Sequence, residues 1–348
     1  MRHLITGGAG FIGSYLAEAL LERGDQVHVI DNLSTGSIDN IERIRHHPCF
    51  SYTIDTITHE PLLAELIDRA DHVHHLAASV GVQLIIKSPV RTIETNTYGT
   101  ELVLKHAAKK SKRVFFASTS EVYGKSQAFP FTEEGDIVLG APTKGRWSYA
   151  CSKALDEFLC LAYWHEHSLP TTILRLFNTV GPRQVGHYGM VLPTFVRQAL
   201  EGRPLTVFGS GQQSRCFSAV QDVVAAWVAL TELDVSVGQV YNIASDQEIS
   251  IGELAELVKE TTGSTSPIIR VPYDTAYEMG FEDMARRVPD VTRLRQEIGF
   301  SPRTPIRTIV EDVVEYERAR MAPHSPAPVA EGVLARPRQG RVLPITRN

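Results

Sequence analysis

Cysteine is scarce in this sequence, and no cysteine pair has the spacing of a metal or redox motif. Only four cysteines occur in 348 residues. A Cys-x-x-Cys pair, the usual sign of a zinc site or a thiol redox site, is missing. We therefore expect free thiols in a reducing compartment. The four are Cys49, Cys151, Cys160 and Cys216.

An excess of one charge and long apolar runs are missing as well. The formal net charge of −5 gives no indication of a nucleic-acid partner. No apolar run is long enough to span a bilayer, and no signal peptide precedes the first strand-like residues. The sequence therefore predicts a cytoplasmic chain with neither a nucleic-acid nor a membrane partner.

Short apolar segments alternate with amphipathic segments through the first half of the sequence. This alternation is typical of parallel strands joined by crossover helices, so it predicts an α/β fold with a Rossmann doubly wound parallel sheet. Predicted helices cover residues 14–23, 91–108 and 148–165. Predicted strands cover residues 3–5, 27–30, 50–54, 72–76, 113–117 and 171–175.

After about residue 182 the pattern changes and predicts a smaller α/β lobe that binds the substrate. We assign residues 1–182 to the Rossmann domain, to which later segments cross back, and residues 183–320 to the lobe. Residues 321–348 carry scattered prolines and arginines without apolar periodicity, so we expect a disordered tail. The lobe's predicted elements are helices over residues 193–201, 220–230 and 251–262 and strands over residues 205–208 and 240–243.

A glycine-rich loop after the first strand predicts a dinucleotide site. Residues 6–13 read Thr-Gly-Gly-Ala-Gly-Phe-Ile-Gly and open the first predicted helix. Gly7 allows a tight turn, Gly10 lets the backbone approach a pyrophosphate, and Gly13 lets the helix pack on the strand. The helix N-terminus supplies N–H groups for the phosphates, and we expect Phe11 and Ile12 to line the same site.

An acidic residue at the end of the second strand indicates which dinucleotide binds. The Asp31 carboxylate would accept hydrogen bonds from the adenosine ribose diol and repel a 2′-phosphate, so NAD is favoured over NADP. Asp55 ends the next strand and is a candidate for the adenine edge. The other residues that we expect beside the cofactor are Asn32, Leu76, Ala77 and Ala78.

Three histidines near the fourth strand resemble a metal site only in composition. His72, His74 and His75 lie within four positions. Strand alternation sends His74 and His75 to opposite faces, and no acidic or cysteine partner is nearby, so we expect no metal.

A tyrosine and a lysine four residues apart form the candidate catalytic pair. Tyr149 and Lys153 lie on one face of a predicted helix. A nearby ammonium favours the phenolate and lowers the pKa of a tyrosine, so we expect Tyr149 to act as a general base near neutral pH. Thr119 supplies a second hydroxyl at the same substrate oxygen.

Together these motifs make the chain resemble the extended short-chain dehydrogenases that act on nucleotide sugars. The resemblance covers residues 1–316. It implies NAD as cofactor, a nucleotide-sugar substrate, and a homodimer formed by the helices over residues 91–108 and 148–165. The stretches that carry it are residues 6–13, 117–124, 149–153, 175–183, 209–217 and 287–290.

Local details resemble the UDP-glucuronate decarboxylases, which include the UDP-xylose synthases. Residues 118–124 read Ser-Thr-Ser-Glu-Val-Tyr-Gly, the form that these enzymes use, and Arg146 stands three residues before Tyr149. Residues 213–217 match the segment that carries their substrate-facing arginine. Residues 79–83, which border the sugar in the family, lack the proline-rich form of the UDP-xylose synthases.

The resemblance implies a reaction through transient oxidation at C4 of the sugar. Tyr149 would take the 4-hydroxyl proton while NAD accepts hydride, with Lys153 on the nicotinamide ribose and Thr119 on the developing carbonyl. UDP-glucuronate oxidised at C4 is a β-keto acid, which loses carbon dioxide to give UDP-xylose or its 4-keto form. Glu121 would distort the ring or manage protons, and Arg215 would orient the carboxylate, donate a proton or contact the diphosphate.

The resemblance also implies a set of substrate-binding residues. Asn178 and Arg287 would contact the diphosphate, and the strand around Val207 would line the uracil. The complete set is Ser120, Asn178, Arg183, Val207, Arg215 and Arg287.

Three other functions remain open from the sequence. A 4-epimerase of a UDP-hexose or UDP-hexuronate uses the same chemistry, although simple epimerases more often have a small residue where Glu121 stands. A 4,6-dehydratase usually has aspartate at the position of Ser120; the GDP-mannose dehydratases also carry serine there, but they tend to prefer NADP, which Asp31 disfavours. A non-catalytic NAD-binding sensor is the third possibility.

Overall fold

Strands and helices alternate along the chain as the sequence predicted. The computed structural model describes residues 1–81, 88–186, 190–272 and 284–321. Each predicted strand and helix has a counterpart whose ends differ by a few residues at most. Of the predicted disordered tail, Met321 ends the last helix, and residues 322–348 lie outside the described residues.

The described residues form fourteen strands and nine α-helices. The strands are β1 (Arg2–Thr6), β2 (Gln26–Asp31), β3 (Phe50–Ile54), β4 (His72–His75), β5 (Arg113–Thr119), β6 (Thr171–Leu176), β7 (Thr179–Val180), β8 (Leu205–Phe208), β9 (Ser214–Cys216), β10 (Ser218–Ala219), β11 (Gln239–Ile243), β12 (Glu248–Ser250), β13 (Ile268–Val271) and β14 (Arg286–Arg287). The helices are α1 (Phe11–Glu22), α2 (Glu60–Arg69), α3 (Pro89–Ala108), α4 (Trp147–His167), α5 (Val191–Leu200), α6 (Val220–Thr231), α7 (Ile251–Thr262), α8 (Thr292–Ile298) and α9 (Ile306–Met321).

A seven-stranded parallel sheet forms the centre of the molecule, which confirms the predicted fold class. Its strand order is β3-β2-β1-β4-β5-β6-β11, and every neighbouring pair is parallel. The chain moves outward from β1 to β3 and then returns to the other side of β1 at β4. The carboxyl ends of β1 and β4 therefore flank a topological switch point, where sheets of this kind bind their ligands.

Helices cover both faces of this sheet because its strands are apolar on both sides. Leu4 and Ile5 are neighbours on β1 and are both fully buried, but they belong to different cores. Helices α1 and α6 close the core that contains Ile5, and α2, α3 and α4 close the core that contains Leu4. In the described part of the chain, no helix is both long and apolar enough to span a bilayer.

A smaller lobe follows the sixth strand of the main sheet. Its core lies between α5, α7 and α9, with Phe195, Leu254 and Val313 buried together. Strand β8 pairs with β13, and β9 lies between β12 and β14. Helix α6 and strand β11 return to the main sheet, so the lobe is made of segments on either side of that return.

The histidines of β4 lie on opposite faces, as strand alternation predicted. On one face, the Trp227 indole donates to His74 Nδ1 (3.0 Å), and His74 Nε2 lies 2.9 Å from His3 Nδ1. An indole can only donate, so His74 carries its proton on Nε2 and donates it to His3. On the other face, His75 Nε2 lies 3.1 Å from the Thr100 hydroxyl. The described residues contain no group of three side chains able to hold a metal ion.

A buried ion pair fastens α4 to the sheet. Arg175 on β6 donates to both oxygens of Glu157 on α4, at 2.7 Å from Nη2 and 3.0 Å from Nε. Its third nitrogen, Nη1, donates to the Tyr123 hydroxyl (2.9 Å), which in turn donates to Asn242 on β11 (2.7 Å). Ser118 also donates to Glu157. One guanidinium thus connects α4, β6, β11 and the turn after β5.

We expect Arg175→Leu to lower the free energy of unfolding by about 3–5 kcal/mol, because it leaves the Glu157 carboxylate buried without its counter-charge. Adding Glu157→Leu to this variant should recover much of the loss. Urea unfolding followed by circular dichroism measures the wild type, the two single variants and the double variant. Arg2→Leu, which breaks an exposed pair with Asp71, is the control and should change little. A double variant as unstable as the sum of the two single variants would contradict this account.

Candidate active site

The loop between β1 and α1 forms a glycine cradle with no room for side chains. Gly7 has a φ of +72°, and a Cβ there would lie 2.8 Å from the amide nitrogen of Ala77. A Cβ on Gly13 would lie 2.4 Å from the carbonyl oxygen of Gly7. The loop therefore packs closely on the end of β4 and starts α1, whose first N–H groups have no carbonyl partner within the helix. This is the arrangement that binds a pyrophosphate.

One cavity of about 820 Å³ runs from the glycine loop to the lobe. All the residues that the sequence assigned to the cofactor or to catalysis line its wall. The assigned substrate residues line it too, with one exception, Val207. The structure therefore brings together side chains from both halves of the chain around one space at the switch point.

Asp31 supports the glycine loop and faces the cavity. Its two carboxylate oxygens accept hydrogen bonds from the backbone N–H of Ala9 (3.0 Å) and of Leu33 (2.8 Å). Burial raises the pKa of Asp31, whereas these hydrogen bonds act to lower it. The backbone N–H of Gly10 also hydrogen-bonds this carboxylate, which still leaves acceptor capacity for a ribose diol, so the site fits NAD.

Asp55 lines the cavity, but its carboxylate is engaged by its own loop. It accepts from the backbone N–H of Thr56 (2.7 Å) and lies 2.8 Å from Nδ1 of His59. The hydrogen bond with His59 is the main cause of a lowered pKa of Asp55. Its role at the adenine edge stays a prediction.

The assignment of Val207 to the substrate is wrong. Val207 is 1% exposed and packs in the core of the lobe. Side chains of a strand alternate between its faces, so the neighbours Thr206 and Phe208 line the cavity instead.

Asn178 and Arg183 line the cavity while holding the lobe in place. The Asn178 amide donates to the carbonyl oxygen of Cys216 (3.0 Å). The Arg183 guanidinium donates to Glu18 (2.7 Å) and to the Ser14 hydroxyl (3.1 Å), both on α1. Their contacts with the substrate stay predictions.

The candidate catalytic pair is buried at the start of α4. Tyr149 is 8% exposed and Lys153 is 3% exposed. The Tyr149 hydroxyl has a hydrogen bond with Thr119, which ends β5. The Lys153 ammonium lies 4.2 Å from the centre of the Phe116 ring. The three predicted side chains therefore meet at the carboxyl ends of the central strands.

The pKa of Tyr149 shifts in the direction opposite to the one predicted from Lys153. Burial raises the pKa of Tyr149, and the charges of Glu121 and Asp156 add to this shift. Burial also lowers the pKa of Lys153. Desolvation penalises the charged form of each group, and in this fold it is the largest cause of both pKa shifts.

Arginines gather around Glu121, which follows Thr119 in a short 3₁₀ turn. Arg146 Nη1 lies 2.5 Å from one carboxylate oxygen of Glu121, and Arg287 Nη1 lies 3.7 Å from the other. Arg287 on β14 lies opposite Arg215 on the neighbouring parallel strand β9. Burial acts to raise the pKa of Glu121, but the charges of these arginines lower it overall, so the carboxylate stays ionised.

Arg146 lines the site although it was not among the site residues predicted from the sequence. Arg146 is 3% exposed and lies immediately before α4. Its position three residues before Tyr149 was the sequence signal for a place near the catalytic pair. Its partner Glu121, however, is 25 residues away in the sequence. A pairing of this kind depends on how the loop between them folds.

Comparison with known proteins identifies the family. A family model described as GDP-mannose 4,6 dehydratase matches residues 4–313. The chain belongs to this family.

Family relatives share most of their length with this chain. The UDP-N-acetyl-alpha-D-glucosaminuronate decarboxylase of Bacillus cytotoxicus is 42% identical over 322 residues, which are 91% of this chain and 98% of that protein. UDP-glucuronic acid decarboxylase 5 of Arabidopsis thaliana is 37% identical over 93% of this chain and 91% of that protein. The UDP-glucuronic acid 4-epimerase of Bacillus cereus, solved with UDP-glucuronic acid and NAD, is 26% identical, with a TM-score of 0.83 over 92% of this chain and 100% of that chain.

These matches confirm the class predicted from the sequence. The chain is an NAD-dependent nucleotide-sugar enzyme with the fold of the extended short-chain dehydrogenases.

We expect Asp31→Asn to weaken NAD binding about tenfold, the effect of losing roughly 1.4 kcal/mol of charge-assisted hydrogen bonding to the ribose. Binding of NADP should strengthen relative to NAD, because the repulsion of a 2′-phosphate is removed. Calorimetric titrations with NAD and NADP measure both affinities. Asp39→Asn, an exposed change just beyond β2, is the control. An unchanged ratio of the two affinities would refute the role of Asp31.

Proposed function

We propose that this enzyme decarboxylates a UDP-linked hexuronate and that UDP-glucuronate is its substrate. The observation that carries the proposal is the group of three guanidinium side chains in the cavity wall beside Thr119 and Tyr149. These belong to Arg146, Arg215 and Arg287, all at most 8% exposed. A substrate carboxylate must lose its hydration to reach a buried hydroxyl pair, and charge-assisted hydrogen bonds to arginine offset that cost. The sugar ring of a neutral UDP-hexose carries no anionic group for this wall.

The side chains of the site suit oxidation at C4 of the sugar. Bound NAD supplies the hydride acceptor. Tyr149 removes the 4-hydroxyl proton, and Thr119 hydrogen-bonds the same oxygen. Lys153 places a positive charge beside the phenol. Glu121 stays ionised, so it accepts hydrogen bonds rather than donating a proton, and it holds Arg146 in the wall.

Decarboxylation follows from the position of the carboxylate. Once C4 is a ketone, the C6 carboxylate is β to it, so the C5–C6 bond breaks and its electron pair moves toward the C4 oxygen. Donors already aimed at that oxygen stabilise the charge that develops there. Thr119 and Tyr149 therefore serve both the oxidation and the loss of carbon dioxide.

The relatives support decarboxylation over epimerisation. The two decarboxylases are 42% and 37% identical to this chain, whereas the 4-epimerase structure is 26% identical. The first of these relatives also gives a second candidate substrate, UDP-N-acetylglucosaminuronate. Both substrates carry the carboxylate that the arginine wall requires, and they differ at C2 of the sugar.

The test is incubation of the purified enzyme with UDP-glucuronate labelled with ¹³C at C6. We expect labelled carbon dioxide and a nucleotide pentose, detected by mass spectrometry and proton NMR. Tyr149→Phe is the control and should release none. A product of unchanged mass with inverted C4 would show a 4-epimerase and overturn the proposal. Release of carbon dioxide only from UDP-N-acetylglucosaminuronate would move the specificity to the second substrate.

We propose that the enzyme is a homodimer formed by α3 and α4. These helices pack side by side and leave apolar side chains exposed on their outer surface. Leu155 and Phe158 on α4 are 55% and 66% exposed, and Ile93 and Tyr98 on α3 are 41% and 45% exposed. A two-fold axis would bring each of these surfaces against its own copy and remove it from water.

Phe158→Glu is expected to convert the dimer to a monomer, because it buries a carboxylate at the centre of the paired helices. Light scattering at micromolar concentration measures the mass. Val235→Glu is the matched control, because Val235 is 55% exposed and belongs to neither α3 nor α4. A wild-type protein with the mass of a monomer would refute the proposed dimer.

We also propose the cytoplasm as the place of action. The four cysteines are all unpaired, which suits a reducing compartment.

A further inference from the structure

A buried carboxylate beyond the catalytic pair has no role in the reaction described above. Asp156 on α4 is fully buried. Neither of its oxygens has a hydrogen-bond partner among the residues that the structure describes. Buried polar groups are nearly always hydrogen-bonded, because an ionised carboxylate loses its hydration without compensation. Asp156 therefore depends on a proton or on a neighbouring positive charge.

The groups around Asp156 leave Lys153 as the cation that faces it. From α3, the Thr100 hydroxyl approaches, but it donates its hydrogen to the carbonyl oxygen of Asn96 (2.8 Å). From β4, His75 contacts the same hydroxyl, and burial lowers the pKa of His75 to about 3, so the ring is neutral.

The other titratable groups of α4 near Asp156 are neutral or already paired. Glu157 is bonded to Arg175, and burial raises the pKa of the Cys160 thiol. Neither supplies positive charge to Asp156.

We propose that Asp156 is a positioning residue for the catalytic pair: it competes with Tyr149 for the charge of Lys153, so that the two acids share one negative charge. The inference rests on the Tyr149–Lys153 pair of the proposed function. Lys153 stands four residues after Tyr149 and three before Asp156, so the two acids flank the ammonium along one face of α4.

Charge balance in this buried region links the ionisation of Asp156 to that of Tyr149. One cation can balance one anion, and a second anion beside it is strongly disfavoured where water is excluded. When Asp156 holds its proton, Lys153 supports the Tyr149 phenolate. When Asp156 is ionised, its charge raises the pKa of Tyr149 and supports the Lys153 ammonium.

Asp156 gains and loses its proton near neutral pH. Burial raises the pKa of Asp156 to about 7, against the opposing effect of Lys153. Asp156 therefore titrates where a general base must act, and the pH dependence of the reaction carries its signature.

The first test is the titration of Asp156 itself by ¹³C NMR of the NAD-loaded enzyme with labelled aspartate carboxyls. The resonance that Asp156→Asn removes identifies the group. We expect a midpoint near neutral pH that moves up by at least one unit in Lys153→Met, because the counter-charge is lost. A midpoint near 4 that Lys153→Met leaves unchanged would overturn the proposal. This test needs no turnover, so it stands apart from a failure of the proposed function.

The second test is the pH profile of kcat/KM. Asp156→Asn should move the rising limb to lower pH by about one unit, a tenfold change in the ionisation of Tyr149. The exposed Glu166→Gln on the same helix is the control and should leave the profile in place. A uniform loss of activity with no displacement of the limb would show a structural role only and overturn the proposal.

Stability provides a third readout with a definite sign. The folded-state pKa of Asp156, about 7, lies above the value of about 3.9 for an unfolded aspartate. The folded state then binds more protons between these values, so the free energy of unfolding falls as the pH rises from about 4 to about 7. Asp156→Asn should lack this fall and be more stable than the wild type at pH above 7. Equal slopes in the two proteins would contradict the buried, titrating carboxylate.

Discussion

The ion pair between Arg175 and Glu157 is the interaction on which the geometry of the site depends. Both residues are at most 5% exposed, so the hydration of their charges is lost and must be replaced. Every nitrogen of the guanidinium that reaches a partner does so within 3.0 Å, and Ser118 adds a hydroxyl to the carboxylate. A buried pair satisfied in this way contributes little net stability but allows only one arrangement of its elements. That arrangement sets α4, which carries the tyrosine and lysine, against the end of β5, which carries the threonine.

Two charged residues of the cavity wall lie next to the same two elements, α4 and the end of β5. Arg146 lies at the start of α4 and Glu121 lies in the turn after β5, so the arrangement that aligns the hydroxyls also brings this pair together. Arg215 and Arg287 come from paired strands of the lobe. The lobe thus adds positive charge to a site whose reactive hydroxyls belong to the Rossmann domain. The proposed recognition of the substrate's charge therefore draws on both halves of the molecule, with Arg146 from the Rossmann domain and Arg215 and Arg287 from the lobe.

The parts of the site that the sequence predicted are those with local spacing. The glycine loop, Asp31 and the Tyr149–Lys153 pair each depend on one turn or one helix, whose geometry is regular. Burial of both faces of the sheet was also predictable, because it follows from the local alternation of apolar strands and amphipathic helices. Val207 was taken as the substrate residue of its strand, but each face of that strand carries an apolar side chain, and only packing decides which face meets the core.

Protonation states could not be predicted from local spacing. A lysine one turn from a tyrosine indicates a lowered phenol pKa, but the desolvation that raises it comes from strands and helices distant in sequence. The same burial excludes water from the site and strengthens the electrostatic interactions of the arginine wall. The desolvation that raises the pKa of Tyr149 therefore cannot be removed without weakening those interactions. Helical periodicity therefore positions the reacting groups, and the packing of the whole fold determines which of them carry charge.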